Sequence, residues 1–378
     1  MRARPPGDGG IPQSLSRALD GIRWTPARLS ALIQGLPKVE THLHLDGSLS
    51  PRTIKDLALL MGDKTIAQKP LAEIERLAVV KSPRASLDEV LASFKLFCRL
   101  LREPQAVEEA SRRVAQRAAA QNVLHFELRF APALLAAEAF PQEDVLEAAL
   151  RGLRRGAAEF GVSSAVIVCL IRDEDLVSNR QNSEMLDLAL AYHGRGVVGL
   201  DLAGNERARP LSRFKPHYAR ALKAGLGTTA HAGETPPGDD LDLILDWKLD
   251  RIGHGVLAGK RPGILERIRK RAVTIETNPT SNLRTGAVKS LSEHPARSWR
   301  RAGIPIAIST DDPGVFGIEL GGEYEVLARH WGFGAEDLLA VSLQGLDSLF
   351  LPERRKRPLR RRWEALALKA LRSLAKPS

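Results

Sequence analysis

Cysteine is scarce in this sequence, with only Cys98 and Cys169 among 378 residues. Two thiols cannot build a disulfide framework or a cysteine-rich zinc site, and so low a content is typical of the reducing cytoplasm, which is the location we predict. Long apolar runs are also missing, since none reaches the roughly 18 residues that a membrane-spanning helix needs. No apolar segment follows the basic residues at the start, so we expect neither a secretory signal nor a membrane partner.

Aromatic residues are few, at 5% of the sequence, and nothing in it resembles an aromatic motif for stacking nucleic-acid bases. The net charge of +11 would suggest a nucleic-acid partner if it were spread evenly. Residues 351–378, however, hold ten Lys or Arg and two Glu, and so carry +8 of that charge. We therefore predict a basic C-terminal helix, packed on or extending from the rest, and expect no nucleic acid. A nucleic-acid-binding protein that uses this tail is the non-enzyme alternative.

The segment 38–48, KVETHLHLDGS, is the most informative stretch of the chain. Polar and apolar side chains alternate from Lys38 to Leu45 before Gly47 breaks the run, which predicts a strand that ends in a turn. A strand points alternate side chains to one face, so His42 and His44 should project side by side. Two imidazoles held in this way can bind a metal ion such as zinc, although a His-x-His pair alone is weak evidence.

Strand-like segments and amphipathic helical stretches alternate regularly through the rest of the chain. After a helical region at about 50–120, the predicted strands are 122–130, 163–171, 197–203, 226–232, 250–256, 273–277 and 304–310. With the first strand they make eight β–α units, which predicts an α/β fold of the (β/α)8 TIM-barrel type. An open doubly wound sheet is less favoured because no glycine-rich phosphate loop follows the first strand.

The predicted domain organisation is simple. We expect residues 1–20 to be a flexible N-terminal segment and residues 21–350 to form one barrel domain, with a helical insertion after strand one at about 50–120. Residues 351–378 form the basic C-terminal helix. No internal repeat or linker divides the barrel.

Polar residues collect at the predicted carboxyl ends of the strands, where barrels of this type have their active sites. Four of the nine histidines lie there. The set comprises His42, His44 and Asp46 on strand one, Gly204 on four, His231 and Glu234 on five, His254 on six, and Asp311 and Asp312 on eight.

Three imidazoles and one carboxylate of this set, from His42, His44, His231 and Asp311, could hold one zinc ion with an open position. His254 could be a ligand of a second metal or a base beside the first. Strand four ends without the lysine that usually bridges two metals in related barrels, so we favour one zinc per chain with His254 as base. Glu234 lies three residues after the proposed ligand His231, and it could carry a proton between water and substrate.

Five short motifs are similar, in sequence and in order, to those of the adenosine deaminase family. They lie at 37–48, 201–206, 231–234, 251–255 and 309–314, and the resemblance runs from residue 37 to about 330. It implies zinc-dependent hydrolytic deamination of adenosine or 2′-deoxyadenosine at purine carbon 6, with release of ammonia.

The resemblance also implies a role for each matching residue. His42, His44, His231 and Asp311 would bind the zinc ion, and His44 would also face the substrate. Glu234 would protonate ring nitrogen N1, and His254 would assist the attacking water. The remaining contacts would be made by Asp312 to N7, by the backbone of Gly204 to N3, and by Asp46 to the ribose 5′-hydroxyl.

Two features bear on the substrate. Asn278 stands where members of the family commonly carry cysteine, and residues 283–288 resemble the branch that acts on nucleosides. Asp46 also favours a nucleoside, because a ribose hydroxyl needs an acceptor. Aminodeoxyfutalosine and adenine stay open as alternative substrates. The insertion at 50–120 would shape the ribose end of the pocket and could admit aminodeoxyfutalosine, which is larger than adenosine.

Overall fold

The computed structural model describes residues 10–81 and 87–375, so the predictions for residues 1–9, 82–86 and 376–378 lie outside the described residues. The strands are parallel and short. They are β1 (Lys38–His44), β2 (Val123–Phe130), β3 (Ser163–Ile171), β4 (Val197–Ala203), β5 (Gly227–Thr228), β6 (His231–Ala232), β7 (Arg251–His254), β8 (Thr274–Thr277) and β9 (Ile306–Ile308).

These strands form the barrel in sequence order. Strands β1 to β5 make one sheet and β6 to β9 a second one. The first strand meets the chain after β9 through a parallel bridge between Leu43 and Asp311. There the His44 N–H donates to the Asp311 carbonyl at 2.9 Å, and the Asp311 N–H donates to the His42 carbonyl at 3.1 Å. The predicted (β/α)8 fold is confirmed.

The fifth predicted strand, 226–232, is not continuous. Its first half, β5, pairs with β4, whereas its second half, β6, pairs with β7 on the other side. Thr229 and Ala230, between the two halves, still form backbone hydrogen bonds to the neighbouring strands. The Thr229 N–H donates to the Leu200 carbonyl, and the Ala230 carbonyl accepts from the Gly253 N–H. The prediction of one unbroken strand is therefore wrong in this detail, because the chain changes partner halfway along.

Helices surround the strands and fill the insertion. They are α1 (Gln13–Leu19), α2 (Pro26–Gly35), α3 (Pro51–Leu60), α4 (Lys64–Ala67), α5 (Leu71–Ala78), α6 (Leu87–Leu100), α7 (Pro104–Ala120), α8 (Pro132–Leu135), α9 (Gln142–Phe160), α10 (Asn179–Ala191), α11 (Lys215–Ala224), α12 (Asp240–Trp247), α13 (Pro262–Arg271), α14 (Pro279–Arg284), α15 (Ala296–Arg301), α16 (Pro313–Phe316), α17 (Leu320–Trp331), α18 (Ala335–Ser348) and α19 (Glu353–Ala375). Helices α3 to α7 are the predicted insertion. None of the helices described is both long enough and apolar enough to cross a membrane.

The two ends of the chain pack together. Residues 13–19, predicted to belong to a flexible segment, instead form α1, because Leu15 is completely buried and the Ser14 hydroxyl donates to Glu364 of α19. Helix α19 packs on the barrel through Trp363, which is fully buried and whose indole N–H lies 3.0 Å from the Pro37 carbonyl. Burial of an indole on this scale stabilises the attachment strongly.

The barrel interior contains charged side chains among apolar ones. Arg129 lies 3.0 Å from Asp201 and 2.9 Å from Glu276. Arg251 lies 2.6 Å from Glu127 and 2.7 Å from Glu276. All five side chains are almost completely buried. Buried charges persist only when they are paired, so this network is expected to hold its members in fixed positions beneath the strand ends.

Candidate active site and metal centre

The predicted site residues meet at the carboxyl end of the barrel. His42 and His44 end β1, His231 begins β6, His254 ends β7, and Asp311 follows β9. His254 and Asp311 have left-handed backbone, with φ of 62° and 65°. Such values are uncommon outside glycine, and strained backbone of this kind is enriched at active sites.

The distances among these side chains suit one metal ion. The Nε2 atoms of His42 and His231 lie 3.3 and 3.2 Å from the Nε2 atom of His44. Asp311 Oδ1 lies 3.0 Å from His42 Nε2 and 3.3 Å from His44 Nε2. Atoms that bind one zinc ion at 2.0–2.1 Å lie about 3.0–3.4 Å apart when their bonds meet at about 90–110°. The four predicted ligands are thus brought together with the spacing that zinc requires.

His254 also lies close to this cluster. Donor atoms of His42, His231, His254 and Asp311 all fall within 4.8 Å of one another. His42, His231 and Asp311 therefore belong to both possible ligand sets, and the fourth ligand is either His44 or His254. His254 Nε2 lies 3.9 Å from Asp311 Oδ2 and 3.7 Å from Glu234 Oε2, and burial lowers the pKa of His254 to about 3.

Two buried carboxylates, neither of which was predicted from the sequence to have this role, orient the histidines. Glu276 lies 2.7 Å from His42 Nδ1, and Asp201 lies 3.1 Å from His231 Nδ1. A carboxylate at Nδ1 keeps the proton there and leaves Nε2 free as a metal ligand. Burial opposes the charge of Glu276, but Arg129 and Arg251 outweigh it and hold the pKa of Glu276 well below its usual range. The donor set therefore fits a zinc ion.

Asp311 is held as a carboxylate. Burial again opposes its charge, but His42 and His254 outweigh burial and keep the pKa of Asp311 well below its usual range. The Ser281 hydroxyl donates to Asp311 Oδ2 at 2.7 Å and so leaves Oδ1 directed at the imidazoles. An ionised carboxylate is the form that a metal ion binds.

Glu234 lies beside the cluster with its side chain only 9% exposed. Burial, supported by the negative charge of Asp311, raises the pKa of Glu234 to about 7. The Thr285 hydroxyl donates to Glu234 Oε1 at 2.8 Å, and the backbone N–H of Glu234 donates to Glu206. The carboxyl group is therefore fixed in position and able to hold a proton near neutral pH.

A cavity of about 830 Å³ opens over these groups. Asp46 and Asp312 each direct a buried Oδ1 atom that has no hydrogen-bond partner among the described residues. Burial raises the pKa of Asp46 to about 6, and burial together with the charge of Asp311 raises the pKa of Asp312 well above its usual range. Unpartnered buried oxygens are costly, so a bound ligand is expected to satisfy them.

Gly204 lines the same cavity and shows why glycine is needed there. Its φ of +92° is left-handed, and a Cβ atom would lie 2.3 Å from Asp173 Oδ2. The missing side chain therefore lets the backbone itself border the cavity. His44 also lines the cavity, so the structure places every predicted site residue at this one mouth or, for His42, directly beneath it.

Comparison with known proteins agrees with this geometry. The sequence model of the family described as adenosine deaminase matches residues 37–365. An adenosine deaminase from Shewanella woodyi is 30% identical over 327 residues, which cover 86% of this chain and 98% of that protein. An aminodeoxyfutalosine deaminase from Streptomyces coelicolor is 32% identical over 328 residues, covering 86% and 83%.

A solved structure is also similar to this chain. An amidohydrolase from Burkholderia ambifaria with bound zinc matches with a TM-score of 0.79 at 27% identity, over 97% of this chain and 99% of that one. The family match spans both the barrel and the cluster of three histidines and an aspartate. The chain therefore belongs to the adenosine deaminase family of metal-dependent hydrolases and is a hydrolytic deaminase.

Proposed function

We propose that this enzyme converts adenosine and 2′-deoxyadenosine to inosine and 2′-deoxyinosine, releasing ammonia, with one zinc ion per chain. The proposal rests on one juxtaposition. The buried carboxyl group of Glu234 lies next to a donor set that suits a metal ion, at the base of a cavity lined by two carboxyl oxygens that lack a hydrogen-bond partner among the described residues. The reaction would belong to purine metabolism in the cytoplasm.

The zinc ligands in this proposal are His42, His44, His231 and Asp311. When bound, zinc would make water nucleophilic at neutral pH. Glu276 and Asp201 would keep the two flanking imidazoles oriented through their Nδ1 atoms. His42, His231 and Asp311 are buried, whereas His44 is partly exposed and faces the cavity from which substrate would approach.

Glu234 would supply the proton that the purine ring needs. Addition of water to carbon 6 places negative charge on N1, and a neutral carboxyl group can protonate that atom as the charge develops. Of the two protons of the water, one restores the carboxyl group of Glu234 and the other passes to the exocyclic amine. Breaking the carbon–nitrogen bond then releases this amine as ammonia and leaves a carbonyl at carbon 6. The hydrogen bond from Thr285 keeps the Glu234 side chain aimed at the site during both steps.

Three groups would orient the nucleoside. The carboxyl group of Asp312 would bond N7, and the backbone N–H of Gly204 would donate to N3. Asp46 would accept a hydrogen bond from a ribose hydroxyl through its free Oδ1 atom. This acceptor favours a nucleoside over free adenine, because a bare base has no donor for it.

The cavity also gives a reason to consider a larger substrate. It extends to Lys95 and Arg99 of α6 and to Arg102, which follows that helix in the insertion. Positive side chains beyond the ribose end would suit a substrate with an anionic group there. Aminodeoxyfutalosine, on which the relative from Streptomyces coelicolor acts, is therefore the second candidate.

A substrate panel tests the proposal. Zinc-loaded protein is incubated with adenosine, 2′-deoxyadenosine, adenine, AMP and aminodeoxyfutalosine, and ammonia release and ultraviolet absorbance are followed. We expect the highest kcat/KM with adenosine or 2′-deoxyadenosine. A clear preference for aminodeoxyfutalosine or AMP would reassign the substrate, and no turnover of any compound would contradict the proposal.

The basic tail offers a separate test of the non-enzyme alternative. Arg354, Arg355 and Arg357 are exposed on α19, so replacing them with Gln should leave the packing of the helix intact. Binding of the protein to DNA or RNA at low salt that is lost in this variant would support the alternative. We expect no such binding.

A further inference from the structure

His294 is a buried histidine to which the proposed reaction assigns no role. It is only 3% exposed and lies behind the cavity, between two tryptophans. Its ring stacks on Trp331 with centroids 4.9 Å apart and meets the Trp299 ring edge-on at 5.7 Å. The orientation of this imidazole is therefore fixed by packing on two sides.

The proton of His294 can be located from one backbone contact. The N–H of Ala296 lies 3.2 Å from His294 Nδ1, and a backbone N–H can only donate. His294 Nδ1 must therefore accept, and the proton of the neutral ring resides on Nε2. That Nε2 atom lies 3.1 Å from the side-chain oxygen of Asn282 and donates to it.

Asn282 passes this constraint on to His254. Because the oxygen of its amide faces His294, the amide nitrogen faces the other way, 2.9 Å from His254 Nδ1. An amide nitrogen only donates, so His254 Nδ1 must accept, and the proton of this neutral ring is also on Nε2. A second amide nitrogen, that of Asn278, lies 3.3 Å from the same atom. This contact gives Asn278 a place beside His254.

His254 therefore differs from the other buried histidines of the cluster. His42 and His231 have a carboxylate at Nδ1 and a free electron pair at Nε2, which is the arrangement of a metal ligand. His254 has amide donors at Nδ1 and a proton at Nε2, which faces Glu234 and Asp311. An Nε2 atom that carries a proton cannot bind a metal ion.

We propose that His294 and Asn282 are positioning residues that hold His254 in the Nε2–H tautomer. His254 then donates a hydrogen bond from Nε2 to the oxygen of the attacking water, whereas the role of base predicted from the sequence would require Nε2 to accept a proton. This tautomer also decides between the two ligand sets, because it removes His254 and leaves His44 as the fourth ligand. The catalytic consequence rests on the proposed deaminase function, whereas the tautomer itself does not.

Nitrogen-15 NMR of histidine-labelled, zinc-loaded protein tests the tautomer directly. Correlation of the ring nitrogens with the ring carbon-bound protons shows which nitrogen carries the proton, and loss of one signal set in His254→Gln assigns His254. We expect a proton on Nε2 and none on Nδ1 in the wild type. In Asn282→Asp the new carboxylate faces Nδ1, so a proton should appear on Nδ1. A wild-type proton on Nδ1, or an unchanged tautomer in Asn282→Asp, would overturn the proposal.

A matched pair of variants at His294 tests the relay, by which we mean the hydrogen bonds that run from His294 through Asn282 to His254. Neither variant adds a charge. His294→Gln keeps an amide donor near the position of Nε2, whereas His294→Met fills the space without a donor. We expect His294→Gln to keep the wild-type tautomer of His254 and most of the activity. His294→Met should retain zinc and KM but lower kcat by about 10²-fold, the usual cost of losing one oriented donor. Equal kcat in the two variants would show that His294 has only a packing role, and would overturn the relay.

The two proposals fail in different ways. If the wild type shows the Nε2–H tautomer but turns over none of the purines, the deaminase assignment falls and the relay stands. If adenosine is deaminated while the ring proton lies on Nδ1, the relay falls and the assignment stands.

Discussion

Replacing Glu234 with Gln is the sharpest single test of the proposed chemistry. The two side chains have the same shape, and the amide oxygen can still accept from the Thr285 hydroxyl that lies 2.8 Å away. The amide nitrogen would take the place of Oε2, 3.7 Å from His254 Nε2. Substrate binding and zinc content should therefore be preserved. What the variant loses is a proton that can be transferred to N1.

The size of the effect follows from that loss. A positioned acid contributes about 10²–10⁴-fold to a rate, which corresponds to about 3–5 kcal/mol in the activation barrier. We therefore expect kcat of Glu234→Gln to fall by about 10²–10⁴-fold while KM changes little. The measurements are steady-state rates of adenosine deamination at neutral pH and zinc content by elemental analysis.

Glu323→Gln is the matched control. Glu323 is also a buried carboxyl group, 1% exposed, and burial raises its pKa to about 7 as it does for Glu234. It accepts from the backbone N–H and the hydroxyl of Thr280 and does not line the cavity. This control should keep its activity. If Glu234→Gln with full zinc content lost less than about tenfold in kcat, Glu234 could not be the acid.

Three further predictions concern metal binding and stability. Asp201→Asn removes the carboxylate at His231 Nδ1 and should weaken zinc binding by about 10–100-fold, measured by competition with a chelator; unchanged affinity would contradict the orienting role. The raised pKa of Glu323 means that the folded state keeps a proton that the unfolded state has lost, so stability falls as pH rises from about 4.5 to about 7. Glu323→Gln should make this slope shallower by the contribution of one proton in a urea unfolding series, because other buried carboxyl groups such as Glu234 titrate in the same range; an unchanged slope would show that Glu323 contributes nothing to it. Trp363→Ala should cost about 3–5 kcal/mol of unfolding free energy, and a loss below about 1 kcal/mol would show that α19 is dispensable.

The sequence was sufficient to predict the barrel and the residues at its mouth, because both follow from local patterns. Period-two strands and amphipathic helices alternate visibly, and functional side chains follow the strands directly. The break between Thr228 and His231 was not predictable in the same way. Residues 226–232 read as one strand, and only the positions of both neighbouring strands show that the chain changes partner there.

The supporting residues could not be identified as such from the sequence, although a signal was present. Asp201 and Arg129 each interrupt a strand whose other residues are mostly apolar, and Glu276 lies in a short strand that is buried at every position. In a strand that is buried on both faces, a charged side chain must find a partner inside the barrel. That rule predicts that each buried charge is paired, but it does not identify the residue that pairs with it, because the distances between strands depend on closure of the whole sheet. The helix at 13–19 was missed for a similar reason, since its few apolar residues gain their burial from the distant α19.

The position of Arg129 has a consequence for how the metal centre can change. One guanidinium group pairs with both Asp201 and Glu276, and these two carboxylates orient His231 and His42 from separate sheets. The two imidazoles are thus linked, through their carboxylates, to the same guanidinium group. A change in the orientation of one is therefore expected to disturb the other. Substitutions at the two carboxylates should consequently be non-additive. An evolutionary adjustment of metal preference at this centre would have to alter Arg129 and both acids together.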